Sequence, residues 1–90
     1  MRNHQKNRLK KEEIKMYLVI NQTSKEFALL SHHSIANVES LQEQYHCADI
    51  VYKDVDEIAN LRLTINYYIA KGYKRAAIDS YNDLLYFTIL

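Results

Sequence analysis

Four side chains with metal-ligand chemistry sit mid-chain: His32, His33, His46 and Cys47. Zinc sites draw on thiolates and imidazoles at short recurring spacings, such as two cysteines a few residues apart or two histidines one helical turn apart. Neither spacing occurs here. Within His32-His33 and within His46-Cys47 the neighbouring side chains diverge in any regular structure, so no metal site is expected. His32 and His33 read instead as the loop entering a helix, and His46 as lying near that helix's C-terminus, where a cation suits the helix dipole. Cys47, the single cysteine, cannot close an internal disulfide. It reads as a small buried apolar residue, and its presence without a partner fits a reducing compartment.

Paired carboxylates are the other candidates for chemistry. Asp54 with Asp56, and Asp79 with Asp83, have the spacing of a general acid and base. Their positions at a helix start and in a turn account for them without catalysis. Phosphate-binding loops need several glycines for close backbone approach, and the only glycine is Gly72. No G-x-S-x-G signature is present. The sequence therefore predicts no catalytic residues, no cofactor and no enzyme activity.

Charge is unevenly distributed. Residues 1–15 hold six Lys/Arg (Arg2, Lys6, Arg8, Lys10, Lys11, Lys15) against Glu12 and Glu13, a net +4. With +1 overall, residues 16–90 carry −3. The arm over residues 1–15 is expected to be a solvated, disordered tail. The alternative is a phosphate-contacting arm in which Arg2, Lys6, Arg8, Lys10 and Lys11 displace counterions from nucleic acid, assisted by Lys74 and Arg75 beside Tyr73. The acidic remainder and the lack of a helix-turn-helix or RNA-binding strand motif count against that alternative. Mimicry of DNA is weaker still, because the eleven acidic residues are scattered.

Tyrosine is the most distinctive side chain, with eight copies in ninety residues. Its large ring and polar tip favour protein interfaces. In Asp54–Gly72 the apolar residues fall on two opposite sides of a helix: Ile58, Leu61, Ile65, Tyr68 and Ile69 on one, and Ala59, Leu63, Tyr67 and Ala70 on the other. One side can be buried by the domain itself. The other calls for a partner, so Leu63, Tyr67, Tyr73, Tyr81 and Tyr86 are the expected interface residues.

The elements that must position these residues follow from pattern. Met16–Ile20 and Glu26–Leu30 form a β-hairpin around Asn21-Gln22-Thr23-Ser24. Ser34 caps a helix with Ile35, Val38, Leu41 and Tyr45 inward. Ala48–Lys53 alternates like a strand covered on one face. The next helix is capped by Asp54 with Glu57 and ends at Gly72, with Tyr73 folding back on Ile69 or Tyr68. Strands separated by helices invite parallel pairing through right-handed crossovers. For residues 73–90 a second hairpin is favoured, with Leu84–Leu90 as its last strand, over a short helix capped by Ser80 that would use Tyr81, Leu84, Leu85 and Thr88. The expected fold is α+β, a mixed sheet in the order ββαβαββ with two helices on one face, in a single domain over residues 16–90.

A ninety-residue domain buries only about 60% of its unfolded surface, so self-association would add stability and a homodimer is expected. No apolar run approaches the roughly 18 residues of a membrane span, and no signal peptide is evident. A cytoplasmic location follows as the expectation. The functional expectation is a small non-enzymatic interaction protein that regulates or inhibits a larger complex by surface binding. Abundant Lys, Asn, Ile and Tyr with little Gly and no Pro suggest an AT-rich coding sequence, hence a phage- or mobile-element-encoded inhibitor of a host nuclease or defence system. Nucleic-acid binding is the alternative. If the arm contacts phosphate, deleting residues 2–11 abolishes salt-sensitive binding of a labelled duplex in an anisotropy titration; no duplex binding by the full chain at low salt rejects that role.

Overall fold

The computed structural model describes residues 15–45 and 48–89. Its elements are β1 (Met16–Asn21), β2 (Glu26–Ser31), α1 (His32–Gln44), β3 (Ile50–Asp54), a single 3-10 turn (Val55–Glu57), α2 (Leu61–Ala70), β4 (Lys74–Arg75) and α3 (Tyr81–Ile89). The strands form one mixed sheet in the order β3-β1-β2-β4. β1 is antiparallel to both β2 and β3, whereas β4 runs parallel to β2. The chain is thus an α+β domain with a mixed sheet, as the pattern predicts, and β2, β3 and β4 point the same way.

β1 explains the layering. Its residues MYLVIN are apolar at consecutive positions, and Leu18, Val19, Ile20 and Asn21 are all buried. Because side chains alternate along a strand, such a run requires cover on both faces. Val19, Ala28 and Leu30 pack under α1 and α3 through Ile35, Val38, Leu84 and Phe87. Leu18, Ile20 and Phe27 face the other way, where Ile58, Leu61, Ile65, Tyr68 and Tyr73 cover them. The expected placement of two helices on one face is therefore corrected: α1 and α3 share one face, and α2 lies on the opposite one.

The C-terminal segment is the second correction, because a helix replaces the expected last strand and the order becomes ββαβαβα. The Ser80 hydroxyl accepts from the Asp83 amide at 3.2 Å, and the Asp83 carboxylate accepts from the Asp79 amide at 3.0 Å. This reciprocal cap starts α3, and Leu84, Phe87 and Thr88 then bury one stripe. Local capping and a three-four spacing outweigh the β propensity of LLYFTIL.

Two helix starts also differ from expectation. α1 begins directly after β2, with Ser31 as N-cap rather than Ser34, which places His32 and His33 in its first turn and not in a loop. Tyr45, expected on its inner stripe, is exposed. Asp54 caps only the 3-10 turn, its carboxylate accepting from the Asp56 amide, and α2 is capped six residues later by Asn60. The reason is that Asp54 still belongs to the sheet, opposite Tyr17, and its carboxylate meets the Lys15 ammonium at 2.8 Å. The end of α2 is as predicted. Gly72 has φ +97°, the Gly72 amide donates to the Ile69 carbonyl and the Tyr73 amide to the Tyr68 carbonyl, forming a Schellman motif.

One buried side chain joins the parts. The Asn21 amide group donates to the Phe87 carbonyl at 2.7 Å, while its oxygen accepts from the Thr23 and Ser24 amides at 2.9 and 2.8 Å. The same turn binds the entry to β3, through Gln22 to the Asp49 carbonyl and the Asp49 amide to the Thr23 hydroxyl. Lys25 closes it at φ +62°, the conformation that glycine would supply at lower cost.

Asn21→Ala lowers the unfolding free energy by about 2–4 kcal/mol in urea melts, since three hydrogen bonds in a fully buried site are lost; Asn21→Asp does no better, because it sets an oxygen against the Phe87 carbonyl. The Asp54 carboxyl is held below its ordinary 3.8 by its hydrogen bond to Lys15 and then by the Asp56 amide. A depressed carboxyl stabilises the fold above its unfolded value and ceases to as pH falls through its folded value. Asp54→Asn is therefore less stable than wild type at neutral pH, and the gap closes progressively below about pH 4 in acid-unfolding curves.

Candidate functional site

The outward side of α2 is built by the packing of its inward side. Leu61, Ile65 and Tyr68 point at Leu18, Ile20 and Phe27, and the 100° step then sends Leu63, Asn66, Tyr67 and Ala70 away from the sheet. Leu63 is 63% exposed and Tyr67 55%. Ile69, expected on the buried stripe, sits on the flank and is 53% exposed.

Aromatic rings continue this surface around the end of α2. Tyr67 and Tyr68 meet edge-on with centroids 5.3 Å apart, and Tyr68 and Tyr73 do so at 5.2 Å. Each ring carries an ammonium: Lys71 over Tyr67 at 5.1 Å, Lys53 over Tyr68 at 5.9 Å and Lys25 over Tyr73 at 5.4 Å. The Tyr67 side chain beside Lys71 raises the Lys71 pKa, with lesser contributions from Tyr73 and Tyr68. Lys71 follows Tyr67 by one helical turn, a contact readable from sequence. Lys53 and Lys25 arrive from β3 and the β1–β2 turn, which no local spacing announces.

The five expected interface residues do not share one surface. Leu63, Tyr67 and Tyr73 lie on the α2 side, the two tyrosines joined through Tyr68. Tyr81 and Tyr86 stand exposed on α3, across the sheet. Lys74 and Arg75 form β4 at the sheet edge and are exposed, with the half-buried Tyr73 beside them in sequence. Arg2, Lys6, Arg8, Lys10 and Lys11 lie outside the described residues.

One carboxylate of each pair is engaged in structural bonds. Asp54 holds Lys15 and the Asp56 amide, and Asp83 holds the Asp79 amide. An open groove of about 450 Å³ beside β4 is lined by Glu26, Arg75, Ile78, Asp83 and Tyr86. Glu26 accepts from the Ser24 hydroxyl at 2.9 Å. Across the sheet edge the Tyr52 hydroxyl donates to Glu39 at 2.7 Å, which raises the Tyr52 pKa and ties β3 to α1. Among the described residues no three His, Cys, Asp or Glu side chains gather to hold a metal ion, and His46 and Cys47 lie outside them. Among the described residues no helix is long and apolar enough to cross a membrane.

No family model, no curated protein and no solved structure matches this chain.

Proposed function

We propose that this chain is a small non-enzymatic interaction protein that acts by occupying the surface of a larger protein assembly. The observation that carries the reading is the outward side of α2, where Leu63 and Tyr67 stand in solvent with Ile69 and Ala70 beside them. Exposed single hydrophobic residues are ordinary, but a helix that is apolar on both sides has one side without a core to serve. Tyrosine and leucine anchors ringed by lysines have the composition of an interface centre with a charged rim. A regulatory or inhibitory role, of the kind a phage or mobile element would direct against a host nuclease or defence complex, is the specific form of the proposal, with the protein acting in the cytoplasm. A second copy is one partner to test, since a domain of this size gains stability by association.

The double variant Leu63→Asp/Tyr67→Asp replaces two solvent-facing side chains and leaves the melting temperature close to wild type in circular dichroism. It loses the partner recovered by affinity capture from a nuclease-treated bacterial lysate, and any dimer mass seen by light scattering. A folded double variant that retains both the partner and the mass rejects the proposal.

A further inference from the structure

The charges around α2 indicate what chemistry its outward side accepts. α2 contains Arg62 and no acidic residue, and Lys71 follows at its C-terminal cap. Lys53 and Lys25 reach the same layer through their contacts with Tyr68 and Tyr73. Four of the six Lys/Arg beyond residue 15 therefore border this one surface. Most of the carboxylates go elsewhere. α1 carries Glu39 and Glu43, α3 carries Asp83, and neither helix has a Lys or Arg. Asp56 and Glu57 lie in the 3-10 turn before α2, with Asp56 close enough to Lys15 to act on its charge. A chain that is net acidic over residues 16–90 thus presents a basic, apolar surface on one side of its sheet.

Three occupants can be compared on chemistry. A second copy docked by a two-fold axis would bring Arg62 and Lys71 against the same two cations of the other copy, and like charges in contact oppose association. Single-stranded nucleic acid needs free aromatic faces for its bases. Here each of the three rings has an ammonium over one face and a neighbouring ring at 5.2–5.3 Å, and Leu63 and Ile69 offer phosphate nothing. A protein segment carrying both apolar and acidic side chains satisfies the whole surface: its apolar groups cover Leu63, Tyr67 and Ile69, and its carboxylates meet Arg62, Lys71 and Lys53. Resting on the contact reading above, we infer that α2 receives an acidic, amphipathic segment of a different protein, with Leu63 and Tyr67 as the anchors and Arg62 and Lys71 as the charge filter.

The test uses the full chain and three defined probes: a fluorescent amphipathic helical peptide of leucine and glutamate, its counterpart with lysine in place of every glutamate, and a fluorescent oligothymidylate. Amide chemical-shift mapping with the leucine–glutamate peptide should centre on residues 61–73. Binding should weaken about tenfold or more in Arg62→Glu/Lys71→Glu and on raising salt, as exposed charge pairs do. The lysine peptide and the oligothymidylate should bind at least tenfold more weakly. Equal binding of the lysine peptide, preferential binding of the oligothymidylate on α2, or a dimer mass that disappears in Leu63→Asp/Tyr67→Asp each overturns the inference. Where Leu63→Asp/Tyr67→Asp abolishes binding but Arg62→Glu/Lys71→Glu does not, the acidic partner is rejected and the contact reading stands. Where neither pair of substitutions changes binding to the mapped surface, both are rejected.

Discussion

The central strand has no polar side to show to water, and the rest of the molecule is arranged around that constraint. Leu18 and Ile20 on one face, and Val19 on the other, must each be covered, at roughly 1.5–3 kcal/mol of stability for every such side chain buried. A ninety-residue chain has few residues with which to do this. It spends two helices, α1 and α3, on the Val19 face and one ten-residue helix, α2, on the Leu18 face. A single short helix over a four-stranded sheet is a thin layer, and much of what lies on it faces outward.

Asn21 allows these layers to close against each other. Its position at the end of β1 is fully buried, where an unpaired amide would be costly. Two turn amides and the Phe87 carbonyl satisfy it, so the hairpin turn and the last turn of α3 are fixed by the same group. Ala48 donates to the Thr88 carbonyl next to it, which brings the entry to β3 into the same junction. Segments from the beginning, middle and end of the domain thereby meet at one point, and the topology is specified by a polar contact as much as by the apolar core.

The surface follows from this economy. With the acidic side chains carried by α1, α3 and the turns, the cations of β3, α2 and the hairpin turn collect around the tyrosines at the end of α2. Tyr68, Tyr73 and the three lysines line the rim of a patch whose middle, Leu63 and Tyr67, is apolar. Such a patch is suited to recognition by contact and charge. Asp83 is engaged in capping, Asp54 in the Lys15 pair and Glu39 in the Tyr52 bond.

What the sequence determined by itself is local. The hairpin at Met16–Ser31, the inward stripe of α1, the alternation of β3, the Schellman end at Gly72 and the two-sided character of α2 are all set by neighbours within a few positions, where spacing and capping chemistry act directly. The consecutive apolar residues of β1 already implied cover on both faces, a signal the one-face arrangement overlooked. Other features were decided only in three dimensions. Residues 81–89 have the β propensity of a strand, and became a helix because Ser80 and Asp83 cap it and the core accepts Leu84, Phe87 and Thr88 on one stripe. Asp54 looked like the start of a long helix, but its ladder position opposite Tyr17 and its bond to Lys15 keep it in the sheet. Tyr81 and Tyr86 separate from Leu63 and Tyr67 because their helices lie on opposite faces. Lys25 and Lys53 reach the tyrosines across gaps in sequence that no periodicity encodes, since contacts between distant segments depend on how the layers stack and not on the order in which residues are joined.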